Sequence, residues 1–249
     1  MMRTIYILFI RQLKRYLRSK PRIIGSLGQP ILFLVALGFG FGPVFQKAGE
    51  GSYIHFLAPG VIGMSIIFTA IFSGIEIIWD RQFGFLKETL VAPVSRFNIM
   101  LGRTMGGAVV STIQGTIVFL ISLTVGFRPY NWTLVPLAIV FMFLISLLFT
   151  AFGTAIASRL SDMQGFQLIM NFIIMPLFFL SGALFPLEGL PSAISLLTKF
   201  DPLTYGIDAL RVIFLGAGHF SLLVDTLVLG SVTLGFLLLG SYLFSKIEV

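Results

Sequence analysis

Residues Leu134 to Ala157 read LVPLAIVFMFLISLLFTAFGTAIA, a stretch without a single charged side chain. A helix of about 20 mostly apolar residues is long enough to cross the hydrocarbon core of a bilayer. A soluble protein would accommodate a helix that is apolar all round only by burying it on every side. The stretch therefore predicts a membrane-spanning helix.

The composition of the whole chain indicates an integral membrane protein. Of its 249 residues, 57% are hydrophobic and only 11% are charged, against about 25% charged residues in a typical soluble domain. One core cannot hide so much apolar surface from water, so the excess must face lipid. The chain has no cysteine, which excludes disulfides, thiol nucleophiles and thiolate metal sites.

Six stretches of the chain are long and apolar enough to span a membrane. We therefore predict an all-α integral membrane protein with six transmembrane helices in one domain, residues 1–249. The predicted spans are Ile23–Phe45, Phe56–Ile78, Thr104–Val125, Leu134–Ala157, Phe166–Leu184 and Leu222–Phe244.

The basic residues predict the orientation of these spans. If the N-terminus is cytoplasmic, thirteen Lys and Arg residues fall on the cytoplasmic side. Only four fall on the other side, namely Lys47, Arg128, Lys199 and Arg211. Because Lys and Arg concentrate in cytoplasmic segments, we predict that both termini are cytoplasmic. The net charge of +7 is then a topology signal, and we expect no nucleic acid among the partners.

Residues 3–20 predict an amphipathic helix ahead of the first span. Arg11, Lys14, Arg15 and Arg18 recur at helical spacing on one face, and apolar residues lie four apart on another. This pattern suits a helix in the inner membrane interface, with its apolar side in lipid and its cations toward the headgroups. A cleaved signal peptide is the alternative, but the apolar run is too long and no cleavage site ends it.

A polar island separates the second and third predicted spans. Asp80–Arg96 reads DRQFGFLKETLVAPVSR and carries five charges, each of which would cost roughly 2.5–3.5 kcal/mol at the bilayer midplane. Phe83, Leu86 and Leu90 recur at helical spacing, which predicts a short helix with one apolar face, and Pro93 ends it. That face needs a surface, and the membrane, the rest of the chain and a cytoplasmic partner remain open.

The same segment resembles the region after the second span in permeases of the ABC-2 type, the membrane halves of ATP-driven exporters of drugs, nodulation factors and polysaccharides. The family pattern is an acidic residue, a Gly-x-Leu core, Pro-Val-Ser-Arg, and Leu-Gly followed by a base. This chain matches it with Asp80, Gly84, Leu86, Leu90, Pro93, Val94, Ser95, Arg96, Leu101, Gly102 and Arg103. It departs at Phe85, where Thr is common, and at Lys87, where Glu is common.

The resemblance implies a permease subunit of an ABC exporter in the plasma (inner) membrane of a prokaryote. It implies a homodimer with two copies of a separate ATPase, which would hold the ATP and Mg²⁺, since this chain has no P-loop sequence. The substrate would be amphipathic: a drug, a lipid or a lipid-linked glycan. Residues 79–97 would be the coupling helix region that docks on the ATPase. The implied coupling residues are Asp80, Phe83, Gly84, Leu86, Lys87, Glu88, Leu90, Pro93 and Arg96.

A second similarity to this family surrounds the end of the fifth predicted span. It lies in PLFFLSGALFPLEGLP, Pro176–Pro191, and in DPLTYGIDALR, Asp201–Arg211. The residues alone also indicate a long connection with an apolar run too short to cross, followed by an Asp-Pro helix start. We predict that residues 186–213 form outer re-entrant helices, a lid over an exit path. The predicted outer gate consists of Ser181, Gly182, Pro186, Asp201, Pro202 and Tyr205.

Candidate pathway residues lie within the second and fifth predicted spans. Acids inside a membrane are functional candidates, yet Glu76 also suits an interface anchor beside Trp79. Asn171 suits helix–helix hydrogen bonding as well as pathway lining. Most of the 27 Phe residues suit contact with lipid. The candidates are Phe68, Phe72, Glu76, Asn171, Phe178 and Phe179.

Two other function classes remain open on the sequence alone. An intramembrane lipid-modifying enzyme would need acid, base or metal groups at one membrane depth, and the acidic residues are scattered along the chain. His55 and His219 lack an acidic ligand pattern, so we expect no metal site and no catalytic residue in this chain. A membrane scaffold protein would differ from an exporter in having no ATPase partner.

Overall fold

A computed structural model describes residues 2–47, 51–86, 91, 94–187, 189 and 191–246. All regular structure in these residues is helical, which confirms the predicted all-α class. A π-helical turn, Phe33–Leu37, joins α2 to α3, and a 3-10 turn, Trp132–Leu134, precedes α7. The α-helices are α1 (Met2–Arg18), α2 (Lys20–Leu32), α3 (Gly38–Lys47), α4 (Tyr53–Phe72), α5 (Ile75–Gln82), α6 (Arg96–Thr124), α7 (Val135–Ala157), α8 (Met163–Leu180), α9 (Ser192–Phe200), α10 (Pro202–Leu215) and α11 (Leu222–Ser245).

Six helical stretches in the described residues are long and apolar enough to cross a membrane. We name them spans 1 to 6 in chain order. They are Lys20–Lys47 (α2, the π turn and α3), Tyr53–Gln82 (α4 and α5), Arg96–Thr124 (α6), Trp132–Ala157 (the 3-10 turn and α7), Met163–Leu180 (α8) and Leu222–Ser245 (α11). This number agrees with the six spanning helices that the sequence predicts.

Span 2 lies at the centre of the bundle. In its most apolar part 78% of the residues are buried inside the protein, against 17% in span 1 and 22% each in spans 5 and 6. Its helix α4 packs against α6, α7 and α10. Spans 1, 5 and 6 therefore form the periphery, and most of their apolar side chains point away from the chain.

Close packing at the centre depends on glycine. A Cβ atom at Gly74 would lie 2.6 Å from the carbonyl oxygen of Gly153, and one at Gly153 would lie 2.5 Å from the carbonyl oxygen of Ile71. No side chain fits at such distances, so the backbones of spans 2 and 4 are in direct contact. In a membrane, where lipid is as apolar as the helices, close contact of this kind supplies much of the packing energy.

The two ends of the bundle differ in chemistry. At one end, which we call the basic end, α1 lies against the start of span 3 and the end of span 2. There Arg81 donates hydrogen bonds to the carbonyl oxygens of Ser158 and Leu160, at 2.7 and 3.1 Å. At the other end, which we call the α10 end, α9 and α10 are too short to cross a membrane.

Helix α10 begins as the sequence predicts. The side chain of Asp201 accepts a hydrogen bond from the backbone N–H of Leu203 at 2.8 Å, and Pro202 occupies the first turn. The helix ends at Gly216, whose φ of 74° is a left-handed conformation that glycine adopts without strain. Because α10 packs against α4, α7 and α11, this short helix is wedged into the bundle.

Candidate functional site

Two carboxylates lie one helical turn apart at the basic end. Glu76 and Asp80 are both on α5, and both are buried. Because residues four apart share one face of a helix, both carboxylates face the same neighbours. Those neighbours supply four arginines, two for each carboxylate.

Asp80 joins α5 to both α1 and span 3. One of its oxygens accepts from Arg11 at 2.8 Å, and the other accepts from Arg103 at 2.5 Å. The side chain of Arg103 is only 3% exposed, whereas that of Arg11 is 39% exposed. Taking the Arg103 charge out of water costs hydration free energy. The Arg103 guanidinium therefore depends on Asp80 for its stability inside the bundle.

Glu76 joins α5 to α1 and to the start of span 1. It accepts a hydrogen bond from Arg22 at 3.0 Å and lies 3.6 Å from a nitrogen of Arg15. The Arg15 guanidinium also lies 5.3 Å from the ring centroid of Trp79, a distance typical of a cation–π contact. The indole N–H of Trp79 in turn donates to the sulfur of Met163, which begins α8.

Helix α1 docks against span 3 through two glycines. A Cβ atom at Gly102 would lie 3.1 Å from the Cα of Ile5, and one at Gly106 would lie 2.5 Å from Oε1 of Gln12. The adjoining Tyr16 hydroxyl donates to the side-chain oxygen of Gln114 at 2.5 Å. These contacts bring the same side of α1 that carries Arg11 and Arg15 toward the acidic pair.

The predicted orientation of the α1 cations is wrong for two of the four. Arg11 and Arg15 point toward the protein and pair with Asp80 and Glu76, because each buried carboxylate needs a cation to offset its loss of hydration. Lys14 and Arg18 are exposed, as a headgroup contact would require.

The chain leaves α5 by a sharp turn. Helix α5 ends at Gln82, and Gly84 has a left-handed φ of 80°. Phe83 is 72% exposed, whereas Leu86 is fully buried. The prediction that Phe83 and Leu86 share the apolar face of one helix is therefore wrong, because α5 ends before Phe83 and the left-handed Gly84 interrupts the helix between them. Four predicted coupling residues lie outside the described residues, namely Lys87, Glu88, Leu90 and Pro93.

Arg96 opens span 3 at the far side of this turn. The preceding Ser95 caps the helix by accepting from the backbone N–H of Asn98. Five of the predicted coupling residues thus lie at the basic end, namely Asp80, Phe83, Gly84, Leu86 and Arg96. The carboxylate of Asp80 already forms ion pairs with Arg11 and Arg103 inside the protein. A role for these residues in contacting an ATPase remains a prediction.

A cavity of about 230 Å³ opens beside the acidic pair, between α2 and α4. Phe68 and Phe72, two predicted pathway residues, line it and stack with centroids 6.3 Å apart. Glu76 lies one turn beyond Phe72 and holds Arg22, which lines the same cavity. The structure therefore brings three of the six predicted pathway residues together.

A larger apolar cavity of about 610 Å³ lies nearer the α10 end, between span 1 and the end of span 5. Phe33 and Phe179 are among the residues that line it. Phe178 is buried behind this cavity, with its ring centroid 6.1 Å from that of Phe33. Asn171 lies on the exposed face of α8, away from both cavities.

The predicted gate residues fall into two groups between the end of span 5 and α10. The Ser181 hydroxyl donates to the carbonyl oxygen of Phe178, and the Gly182 carbonyl oxygen accepts from Arg211 at 2.5 Å. Pro186 lines the 610 Å³ cavity. The Tyr205 hydroxyl donates to the carbonyl oxygen of Lys199 at 2.8 Å, and its ring stacks on Phe220.

The pKa of Asp201 is raised in this region. Burial of its carboxyl raises the pKa to about 8, while the hydrogen bond from the Leu203 N–H acts in the opposite direction. The second carboxyl oxygen is buried and accepts no hydrogen bond from the described residues. Asp201 is therefore a group that titrates near neutral pH and caps a helix at the same time.

Comparison with known proteins identifies the family. Residues 3–215 of this chain match the sequence model of the family described as "ABC-2 type transporter". This chain belongs to the ABC-2 type transporter family. The chain is 30% identical over 217 residues to the transport permease ycf38 of Cyanophora paradoxa, an alignment that covers 83% of this chain and 73% of the relative.

Two further relatives extend the comparison. Nodulation protein J of Rhizobium leguminosarum bv. viciae is 28% identical over 196 residues, which covers 78% of this chain and 75% of that protein. The transport permease ycf38 of Porphyra purpurea is 27% identical over 242 residues, which covers 92% of this chain and 83% of that protein. The chain is thus a multi-pass ABC-2 permease, and the resemblance found in its sequence is confirmed.

Several residues that organise the basic end of this ABC-2 permease were missed by the sequence reasoning. The sequence did not predict that four arginines pair with Glu76 and Asp80. These are Arg11, Arg15, Arg22 and Arg103. A signal was present, because the two acids of α5 and the two arginines of α1 are each four residues apart. That spacing predicts two matching faces, although it does not show that the two helices meet.

Proposed function

We propose that the chain is the membrane-spanning permease subunit of an ATP-driven ABC exporter. It would move an amphipathic drug, lipid or lipid-linked glycan from the cytoplasm or the inner leaflet to the outside. The family description "ABC-2 type transporter" and the relatives named transport permease ycf38 support a transport role. Two copies of a separate ATPase subunit would bind the ATP and Mg²⁺.

The basic end is proposed to face the cytoplasm of a prokaryotic inner membrane, with both termini on that side. It collects the arginines of α1, together with Arg81 near the end of span 2 and Arg103 near the start of span 3. This distribution is the one that the positive-inside rule describes for cytoplasmic segments. The turn that begins at Phe83, together with residues 79–97, would then meet the ATPase.

The ion pairs of Glu76 and Asp80 on α5 are the observation that carries the proposal. The energy of ATP hydrolysis by the partner subunit would reach the spans through these two acids. Asp80 binds both α1 and span 3, while Glu76 binds both α1 and span 1. A push on the connection after α5 would therefore move three spans and α1 as one body. Rigid-body displacement of packed helices is a common way to pass a motion from one site to another.

A second copy of the chain is proposed to pack on α8. Phe172 is 81% exposed and Leu168 is 72% exposed on the outer face of this helix. Asn171 lies on the same exposed face, near the middle of the span. A mid-span amide that faced only lipid would lack hydrogen-bond partners, so a neighbouring helix is favoured there. A two-fold homodimer would supply that helix.

The substrate is proposed to travel along the surfaces of spans 1, 2 and 5. The cavity at Phe68 and Phe72 lies toward the basic end, and the apolar cavity at Phe33 and Phe179 lies toward the α10 end. These two aromatic surfaces would suit the apolar part of an amphipathic molecule. The residues around Ser181, Gly182 and Tyr205 would form the outer gate.

Co-purification and ATPase measurements test this proposal. The chain expressed with the ABC ATPase encoded nearest to its gene should co-purify with that subunit, and its presence in proteoliposomes should change the ATPase rate. The paired charge reversal Lys87→Glu with Glu88→Lys should abolish this coupling while the permease stays folded. Lys199→Glu, an exposed charge reversal at the α10 end, serves as the control. Failure of any such ATPase to associate would refute the exporter assignment.

A further inference from the structure

The 230 Å³ cavity beside Glu76 combines an apolar wall with polar groups. Phe68 and Phe72 of α4 form one wall, and Arg22 of α2 stands at its end. Gly25 and Gln29, which also line the cavity, are exposed on α2. The cavity therefore opens past the start of span 1, at the edge of the bundle.

A buried hydroxyl in this cavity has no protein partner. Ser65 lines the cavity, is 3% exposed, and its Oγ makes no hydrogen bond within the described residues. A buried hydroxyl without a hydrogen-bond partner destabilises the fold, because it has lost its hydrogen bonds to water and gained none in return. Because α4 is well packed around it, the empty side of this hydroxyl is the cavity. A ligand with a hydrogen-bonding group would satisfy it.

The charges around the cavity are unbalanced. The four arginines that bind Glu76 and Asp80 carry two more positive charges than the two carboxylates carry negative charges. Arg22 is the member of this group that lines the cavity, and its side chain is 32% exposed. An anion beside Arg22 would reduce the imbalance and would form charge-assisted hydrogen bonds.

The size of the cavity limits what it holds. Drug-sized ligands occupy pockets of about 300–1,000 Å³, so a cavity of 230 Å³ accepts a headgroup and excludes a whole amphiphile. From Phe72 to Ser65 the helix rises by roughly 10 Å toward the middle of the span. A headgroup with an anion at Arg22 and a second polar group at Ser65 spans this depth, and its tail leaves past Gly25.

We propose that this cavity binds the anionic headgroup of the transported amphiphile at the basic end. Arg22 contacts the anion, Ser65 and Gln29 contact a further polar group, and the stacked rings of Phe68 and Phe72 form the apolar wall. This inference rests on the proposed export function. It narrows the substrate to amphiphiles whose headgroup carries a phosphate or a carboxylate.

Binding to the full chain in phosphatidylcholine nanodiscs tests the site directly. The probe is radiolabelled dodecyl phosphate, and the uncharged comparison is dodecyl glucoside of the same chain length. We expect dodecyl phosphate to bind more tightly, and Arg22→Gln to weaken its binding on the order of tenfold. The matched control is Arg18→Gln, one turn earlier and exposed, which should bind as the unchanged protein does.

A second pair of variants keeps the arginine network intact. A Cβ atom added at Gly25 or at Gly28 would have no described atom of another residue within 4 Å, so both positions have space for a side chain. Only Gly25 lines the cavity. Gly25→Leu should block the cavity and abolish dodecyl phosphate binding, whereas Gly28→Leu should preserve it. Ser65→Ala should leave the binding of dodecyl phosphate unchanged, because this probe has no second polar group for the Ser65 hydroxyl to contact. Equal binding by Gly25→Leu and Gly28→Leu would overturn the proposed site.

ATP hydrolysis by the complex with the ATPase separates a transported amphiphile from a resident lipid. We expect dodecyl phosphate to stimulate hydrolysis in the unchanged complex and in Gly28→Leu, and to have no effect in Gly25→Leu. Binding without stimulation would identify a resident lipid and overturn the assignment to substrate. If the ATPase associates and couples normally while dodecyl phosphate fails to bind, only this inference fails. If no ATPase associates, the export function itself fails.

Discussion

At the level of single residues, the pair of Asp80 and Arg103 is the most sensitive to change. Asp80→Asn leaves the Arg103 guanidinium, 3% exposed, without its anion, and removal of one partner from a buried pair costs about 3–5 kcal/mol. We expect Glu76→Gln to cost less, because its partners Arg15 and Arg22 reach solvent. Thermal unfolding of the two purified variants in the same detergent measures the difference.

A double variant distinguishes this pairing from a general effect of the substitution. Asp80→Asn combined with Arg103→Gln removes both charges, so the combined loss of stability should be smaller than the sum of the two single losses. Additive losses would contradict the dependence of Arg103 on Asp80.

Asp201 should make the stability of the permease depend on pH. In the folded chain its pKa is raised to about 8, whereas the ordinary value is 3.8. The fold therefore favours the protonated carboxyl. Its stabilising contribution is complete below the ordinary pKa and is lost as the pH rises toward about 8. Asp201→Asn keeps an oxygen to accept the Leu203 N–H and removes the titration.

The expected result is a thermal unfolding midpoint that falls less between about pH 5 and about pH 8 in Asp201→Asn than in the unchanged protein, because this interval lies between the ordinary pKa of 3.8 and the raised pKa of about 8. Asp162→Asn is the matched control, because Asp162 caps α8 with an exposed side chain. The assignment of the titration to Asp201 fails if the two variants show the same pH slope.

At the level of elements, the docking of α1 on span 3 depends on the surface that Gly102 leaves open. A Cβ atom there lies 3.1 Å from Ile5 Cα and 3.2 Å from Ile5 O, and backbone atoms cannot rotate aside. Gly102→Leu should therefore displace α1 from span 3. Gly235→Leu on α11, where a Cβ meets nothing within 4 Å, is the control.

Spin labels report this displacement cleanly, because the chain contains no cysteine. Cysteines introduced at the exposed residues Lys14 and Gln164 accept the labels, and the distance between them is read by electron resonance. We expect a longer and broader distance distribution for Gly102→Leu only. An unchanged distribution would show that α1 is held by its ion pairs alone.

The elements differ in how far the sequence predicts them, for a physical reason. Transfer into lipid is a property of one stretch by itself, so the apolar run Leu134–Ala157 is recognised without its neighbours. The position of α1 depends on Gly102 and Gly106, which lie far from α1 along the chain. The helical periodicity of α1 predicts only that it has a basic face and an apolar face. The helical stripe from Phe83 to Leu86 failed because a single left-handed glycine, Gly84, outweighs a spacing pattern.

Site residues show the same division. The N-cap of Asp201 is local and was predicted, since it involves the next two residues only. The grouping of Phe68 and Phe72 with Arg22 around one cavity was not predicted as a site. It requires the start of span 1 to pack beside span 2, and the apolar character of both spans does not specify their relative rotation.

At the level of the whole molecule, the outer face of α8 predicts where a second copy binds. In the proposed homodimer, Asn171→Cys on each copy should form an intermolecular disulfide under mild oxidation. Leu234→Cys, which is also exposed and lies on α11, should remain monomeric under the same conditions. Non-reducing electrophoresis of membranes separates the two outcomes, and cross-linking through Leu234→Cys instead would place the dimer on span 6.

The π-helical turn at Phe33–Leu37 has a consequence for how this chain tolerates changes in length. A π turn holds about one residue more than an α turn does, and it accommodates that residue by widening one turn of an otherwise continuous helix. Deleting one residue within the turn should therefore restore regular α-helix and leave Phe41 and Phe45 on the larger cavity that they line. Deleting one residue elsewhere in span 1 would instead rotate the rest of the span by about 100° and turn these rings away from the cavity. The π turn is thus the one place in the described part of span 1 where a change of length by one residue is tolerated.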